Sequence, residues 1–177
     1  DIDQNPISIK NEAKKTIYFV GSHLPQRVSA INKFIESADK LNLQINFLIG
    51  LKKRGKLDKL LYNSDCINFI NRNIDYSENL SNVKNSDILI DFVNNVHSGL
   101  SFRIFESIFY QKKLITNNTE VTKYDLYHED NIYIWDGREI DIDSLRSFLN
   151  KPYHILPSKI LNKYSFKTWH RLILGMN

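Results

Sequence analysis

Residues 16–49, TIYFVGSHLPQRVSAINKFIESADKLNLQINFLI, contain a complete strand–helix–strand unit. Thr16–Val20 is β-branched and aromatic and stops at Gly21. Pro25 then opens a run in which Val28, Ile31, Phe34, Ile35 and Ala38 recur at spacings of three and four, the period of a helix with one apolar face. Leu43–Ile49 returns to a short, mostly apolar segment of strand length. Strands that are nearly all apolar and alternate with helices suit a parallel sheet covered on both faces.

The alternation continues to the end of the chain. Further strands are expected at Cys66–Ile70, Ile88–Val93, Leu114–Thr116 and Ile132–Trp135. Helical segments are expected at Leu57–Tyr62, Glu78–Val83, Phe102–Tyr110, Val121–Tyr127, Ile142–Leu149 and Ser158–Leu174, with 71–86 otherwise a solvent-facing loop. This predicts an α/β chain with a Rossmann-like, doubly wound parallel sheet of about six strands and helices on both faces. Crossovers should be right-handed, and a ligand should lie beyond the carboxyl ends of the strands. Residues 1–15 read as a polar linker, 16–157 as the domain and 158–177 as a C-terminal amphipathic helix. The first residue is Asp1 rather than Met, so an excised or processed chain is expected.

At 177 residues, 42% hydrophobic and 12% aromatic, the chain is long enough to bury one sizeable core. Its 24 Lys and Arg are offset by 20 Asp and Glu spread along the sequence, a balance unlike the basic face of a nucleic-acid binder, so no nucleic-acid partner is expected. The lone cysteine, Cys66, excludes an intramolecular disulfide and a cysteine-based zinc site and points to a reducing compartment. It lies among Ile67, Phe69 and Ile70 and reads as a core residue rather than a nucleophile. No apolar run approaches the roughly 18 residues of a spanning helix, and no signal peptide is visible, so a cytoplasmic location is expected.

The chemistry concentrates in residues 97–117, HSGLSFRIFESIFYQKKLITN. A strand ending near Val93 feeds the turn His97-Ser98-Gly99, and a helix starts close to Ser101. Backbone N–H groups and the positive end of the helix dipole would face the crevice, a natural place for phosphate. Gly99 would let the backbone approach a ligand, and Ser101 would cap the helix or donate to a phosphate oxygen. Arg103 and Glu106 share one helix face, with Phe102, Phe105, Ile108 and Phe109 expected to pack on the sheet from the other. By periodicity alone, Arg103 and Glu106 read first as a surface ion pair on an amphipathic helix.

This segment resembles the C-terminal domain of GT-B glycosyltransferases, where two glutamates eight positions apart flank a Gly-rich turn and helix. Ser98, Gly99, Leu100, Ser101, Arg103 and Glu106 are similar to the form found in bacterial capsule and lipopolysaccharide gene products, and residues 111–116 match the turn and strand that follow. The resemblance implies that Glu106 accepts hydrogen bonds from the ribose hydroxyls of a nucleotide. Ser98 stands where the first glutamate of the general motif would touch the sugar, which leaves the retaining mechanism open. A guanidinium at Arg103 would offset pyrophosphate charge.

Gly21-Ser22-His23-Leu24-Pro25-Gln26-Arg27 is placed like the family turn whose basic residues contact the diphosphate. Arg27 matches its lysine position, whereas Ser22 supplies no cation. Near the C-terminus, 164–169 resembles the family's aromatic-Ser-Trp tail. From Lys151 onward there is no acidic residue, and the basic amphipathic stretch 158–174 would suit either docking on a second domain or peripheral contact with an anionic membrane.

Other chemistry fits less well. His97-Ser98 lacks the Gly-x-Ser-x-Gly elbow, His128-Glu129-Asp130 lacks metal-ligand spacing, and no Gly-x-Gly-x-x-Gly follows a strand. Asp141 and Asp143 open a late helix and read as capping residues, and no metal or other cofactor is expected. The resemblance therefore implies the nucleotide-sugar-binding half of a glycosyltransferase, taking a nucleoside diphosphate sugar, with UDP-sugars first. A missing N-terminal domain would hold a saccharide acceptor. The rival reading is a non-catalytic α/β nucleotide-binding or regulatory module; a receiver domain is disfavoured because the first strand has no acid and the third ends at Asn71.

Overall fold

The computed structural model describes residues 14–52, 55, 57–93, 99–165 and 168. Among them six strands, β1 (Lys15–Ser22), β2 (Leu43–Gly50), β3 (Ile67–Ile70), β4 (Ile88–Asp91), β5 (Lys113–Thr116) and β6 (Ile132–Ile134), form one sheet. The α-helices are α1 (Pro25–Ala38), α2 (Tyr76–Asn85), α3 (Phe102–Phe109), α4 (Ile142–Asn150) and α5 (Ser158–Lys163). The strand order is β3-β2-β1-β4-β5-β6, and every neighbouring pair is parallel. The expected Rossmann-like sheet is present. From β3 the chain returns past β1 to start β4 on its other side, so the order reverses between β1 and β4, and that switch point opens a crevice at the carboxyl ends of the strands.

Side chains alternate across each strand, so the sheet feeds two cores. One gathers Ile17, Phe19, Phe47 and Ile90 with Ile31 and Phe34 of α1 and Leu145 and Phe148 of α4. The other gathers Tyr18, Leu89 and Leu114 with Val83 of α2, Ile104 and Ile108 of α3 and Leu156. All four residues of β4 are buried, as a central strand covered on both faces requires.

Local chemistry sets the helix ends. Pro25 occupies the first position of α1, where its missing N–H costs no hydrogen bond. Asp75 caps α2 by accepting from Glu78 N at 2.8 Å, and the Arg72 guanidinium grips Glu78 through two 2.7 Å bonds. This capping makes α2 longer than the helix expected within 71–86. Asp141 caps α4 as expected, accepting from Asp143 N and Ser144 N. The segments expected as helix at 57–62 and 121–127 are shorter 3₁₀ turns, Asp58–Leu61 and Thr119–Lys123.

Three sequence expectations are corrected. Cys66 is exposed, because β3 starts one residue later and Cys66 lies in the preceding turn with its N–H on Ser64 Oγ. Phe102 and Phe109 are also exposed, since the inward stripe of α3 is Ile104, Ser107 and Ile108, and residues two turns apart on the other side cannot share it. The strand expected to reach Val93 ends at Asp91. Of the tail, α5 packs Ile160 and Leu161 on the second core and is tied to the body by Lys163 and Tyr164 on Asp125. Lys167, Trp169 and Arg171 lie outside the described residues. Among the described residues no helix is long and apolar enough to cross a membrane.

Candidate functional site

A cleft of about 500 Å³ opens at the switch point. Gly21 and Ser22 at the end of β1, Gly50 at the end of β2, the 70–76 segment with Asn79 behind it, and Phe102, Arg103 and Glu106 of α3 form its walls. Gly21 is small for a reason. A methyl group there would stand 2.8 Å from Phe19 Cζ and 3.3 Å from Arg27 Nη1, so the glycine leaves room for the guanidinium that α1 sends over it.

Arg27 is half-buried, and its Nε is buried without a hydrogen-bond partner. Burial pushes its pKa down from the ordinary value, while the charge of Asp91 and the hydroxyl of Tyr62 act the other way. A desolvated guanidinium with unused donor capacity favours an anion.

On the opposite wall, Arg103 Nη1 donates to Glu106 Oε2 at 2.7 Å, and the two side chains are only 10% and 9% exposed. Asn79 Nδ2 of α2 donates to the other carboxylate oxygen at 2.6 Å, and Tyr18 hydroxyl donates to Asn79 Oδ1 at 3.2 Å. The Arg103 guanidinium also lies over the Tyr18 ring, 5.1 Å from its centroid. Burial pushes the Tyr18 phenol up to about 12, with Arg103 opposing, so Tyr18 stays neutral and donates. Each Glu106 oxygen therefore accepts one hydrogen bond and keeps a lone-pair direction, and Glu106 lines the cleft. The pair is buried rather than on the surface.

Ser101 takes the N-cap position of α3 with extended backbone but makes no side-chain cap bond, and its Oγ is buried without a hydrogen bond of ordinary geometry. Before it, Gly99 has φ +146°, a conformation that disfavours any side chain, and its carbonyl accepts from Asn118 Nδ2 at 2.9 Å. On the other side of the loop, Val93 N–H donates to Asn117 Oδ1 at 2.7 Å. The end of β5 thus holds both ends of the loop leading to α3. Ser98 lies outside the described residues.

Of the residues expected from sequence, Gly21, Arg103 and Glu106 line one cleft, Arg27 reaches over Gly21, and Ser101 and Gly99 set the start of α3. Sequence reasoning missed Asn79, Tyr18, Tyr76 and Asp91. Asp91 had a visible signal, as the one charged residue in the apolar run 88–93. Asn79 had none, because its bond to Glu106 spans 27 residues. Phe102 and Tyr76 both line the cleft while 86% and 69% exposed, so two aromatic rings border it with little protein packed on them. Among the described residues no group of three or more His, Cys, Asp or Glu is placed to hold a metal ion. His128 and His154 instead stack ring on ring at 3.7 Å, away from the cleft lining.

No family model matches the sequence, and no curated protein matches it either. Solved structures do. The N-terminal domain of trehalose-6-phosphate phosphatase from Candida albicans matches 93% of this chain with 41% of its own, at TM-score 0.62 and 13% identity. The α,α-trehalose-phosphate synthase (UDP-forming) of Burkholderia xenovorans, solved with glucose-6-phosphate, matches 92% of this chain with 43% of its own, at TM-score 0.58 and 13% identity. The GtfA/B complex follows at TM-score 0.52 and 11% identity, covering 94% of this chain and 37% of the other. The chain spans less than half the length of each of these neighbours. Likeness at such identities concerns the backbone arrangement alone, and by that measure the chain shares a Rossmann-like α/β fold with these proteins.

Proposed function

We propose that this chain is the nucleotide-sugar-binding half of a GT-B glycosyltransferase, taking a UDP-sugar in the switch-point cleft. The observation behind this reading is that Gly21 of β1 and Arg103 and Glu106 of α3 line one crevice, with the Arg27 guanidinium beside Gly21 and Ser101 at the N-cap of α3. The UDP-forming activity named for one structural neighbour supports the choice of base.

The diphosphate would sit at the start of α3, with the Ser101 hydroxyl, the helix N-terminus and the guanidiniums of Arg27 and Arg103 around it. Charge growing on the leaving diphosphate during sugar transfer would meet donors already held in place, which is electrostatic stabilisation with little reorganisation. No metal is needed for this step. Glu106 would accept from the ribose hydroxyls with its remaining lone pairs, and the exposed rings of Tyr76 and Phe102 offer flat faces to the base. A second α/β domain would supply the acceptor site and any base that activates the acceptor hydroxyl. We place the acceptor among surface polysaccharides or lipid-linked saccharides and the enzyme in the cytoplasm, at the inner face of the cell membrane.

The test is a thermal-shift and calorimetric screen of nucleotides and nucleotide sugars at millimolar concentration. Ligand that binds only the folded chain raises its melting temperature. UDP or a UDP-sugar should do so, while the isolated chain should not transfer sugar. Absence of any response would remove the reading.

A further inference from the structure

Asp91 plays no part in the function proposed above, yet it sits at the carboxyl end of β4, beside the switch point. It ends β4, is only 8% exposed, and follows Leu89 by two, so its side chain leaves the sheet on the face that bears Tyr18 and α3. Its register partner on β5 is Thr116, whose Oγ1 donates to Asp91 Oδ2 at 3.2 Å in a fully buried contact. Among the described residues, Thr116 of β5 bonds it directly, while Ser101 at the N-cap of α3 and the charges of Arg103 on α3 and Arg27 on α1 pull on its carboxyl. Three of these four are the donors assigned to phosphate. Burial pushes the Asp91 carboxyl above its ordinary pKa, against the pull of Ser101, Thr116, Arg103 and Arg27.

Without ligand, the two guanidiniums and the carboxylates of Asp91 and Glu106 balance. A bound diphosphate adds negative charge to a poorly solvated site and competes with Asp91 for the same donors. Glu106 already has Arg103 and Asn79 on its two oxygens. Asp91 would keep Thr116 but share the pull of Arg27, Arg103 and Ser101 with the incoming phosphate, and like charges brought together at low dielectric favour protonation of the weaker acid. We propose that Asp91 is a resident counter-anion, and that binding of a phosphorylated ligand at the start of α3 is coupled to uptake of one proton from solvent onto its carboxylate.

This inference rests on an anion binding at the crevice, as in the proposed function, and two probes separate the two ideas. Inorganic pyrophosphate and UDP are titrated calorimetrically at one pH in buffers of different ionisation enthalpy, into the wild-type chain and Asp91→Asn. The dependence of heat on buffer gives the protons exchanged, and the ligand's own protons are common to both proteins. The wild type should take up more protons than Asp91→Asn, by as much as one. Its affinity should fall relative to the variant as pH rises, by up to about tenfold per pH unit. Equal uptake overturns the proposal. Should Asp91→Asn not fold, Thr116→Val serves instead: it removes a hydroxyl that favours the ionised carboxyl and should move the pH dependence of binding upward, and an unmoved profile overturns the proposal. Pyrophosphate binding with Asp91-linked uptake but no tighter binding of UDP keeps this inference and removes the nucleotide reading. UDP binding without linked uptake does the reverse, and binding of neither probe removes both.

Discussion

Arg103 and Glu106, three residues apart on α3, form a 2.7 Å ion pair with both side chains about nine-tenths buried. A surface pair of this spacing is worth about 0–1 kcal/mol, whereas removing one partner of a buried pair leaves an uncompensated charge. Glu106→Gln keeps the shape and one acceptor but loses the charge facing Arg103. It should lower the free energy of unfolding by about 1.5–3 kcal/mol, the scale of a hydrogen bond to a charged group. This exceeds the roughly 0.5 kcal/mol of a surface change. Urea denaturation measures that loss. If Glu106 also holds the ribose, UDP affinity of the folded variant should fall roughly ten- to a hundredfold. A stability loss with unchanged affinity would make the residue purely structural.

Phe102 and Tyr76 border the same cleft from α3 and α2 and are largely exposed, so truncating either should leave the fold alone. Phe102→Ala and Tyr76→Ala are expected to move unfolding stability by no more than about 0.5 kcal/mol. Loss of a base–aromatic stack costs about 1–3 kcal/mol. Either variant should therefore bind UDP more weakly while holding inorganic pyrophosphate as before. Equal binding of UDP by both variants and the wild type would remove the rings from the site.

Asp91 also makes stability depend on pH. Its folded pKa lies above the ordinary value of 3.8, chiefly through burial. For such a group the stabilisation is complete below the unfolded pKa and is lost as pH rises through the folded one. Asp91→Asn lacks this ionisation. Its melting temperature relative to wild type should be level below about pH 3.8, should climb as pH rises from there, and should level off above the folded pKa. Melting curves across that range would show it, and a difference that stays flat with pH would mean that ionised Asp91 costs the fold nothing.

Gly99 tests the loop before α3. A methyl group added there meets nothing within 4 Å, so space is not at issue, but its φ of +146° is a region that L-residues avoid. Gly99→Ala should destabilise the chain by about 1–3 kcal/mol, the cost of holding a residue in a sparsely populated conformation, or move the loop and weaken pyrophosphate binding. Circular-dichroism melting with the pyrophosphate titration covers both outcomes, and an unaffected variant would show that the turn adapts freely.

The sequence alone determined the order of the elements and the place of the crevice. Thr16–Val20, Gly21 and the three-and-four spacing from Val28 to Ala38 are local patterns, and backbone geometry turns such patterns into strand, turn and helix within a few residues. The alternation of apolar strands with helices then leaves few ways to build a covered parallel sheet, and residues 97–117 were legible as a loop and helix start at its carboxyl edge. The tertiary structure decided which side chains meet there. Asn79 reaches Glu106 across 27 residues and the ring of Tyr18, on the sheet face that carries α3, lies against Arg103, contacts with no periodicity to announce them. The same holds for Phe102, which a count of apolar residues places inside and the rotation of α3 leaves outside. Asp91 was visible only as a polar residue in an apolar run, because its buried bond to Thr116 and the pull of Ser101, Arg103 and Arg27 on it depend on how β4, β5, α1 and α3 pack together.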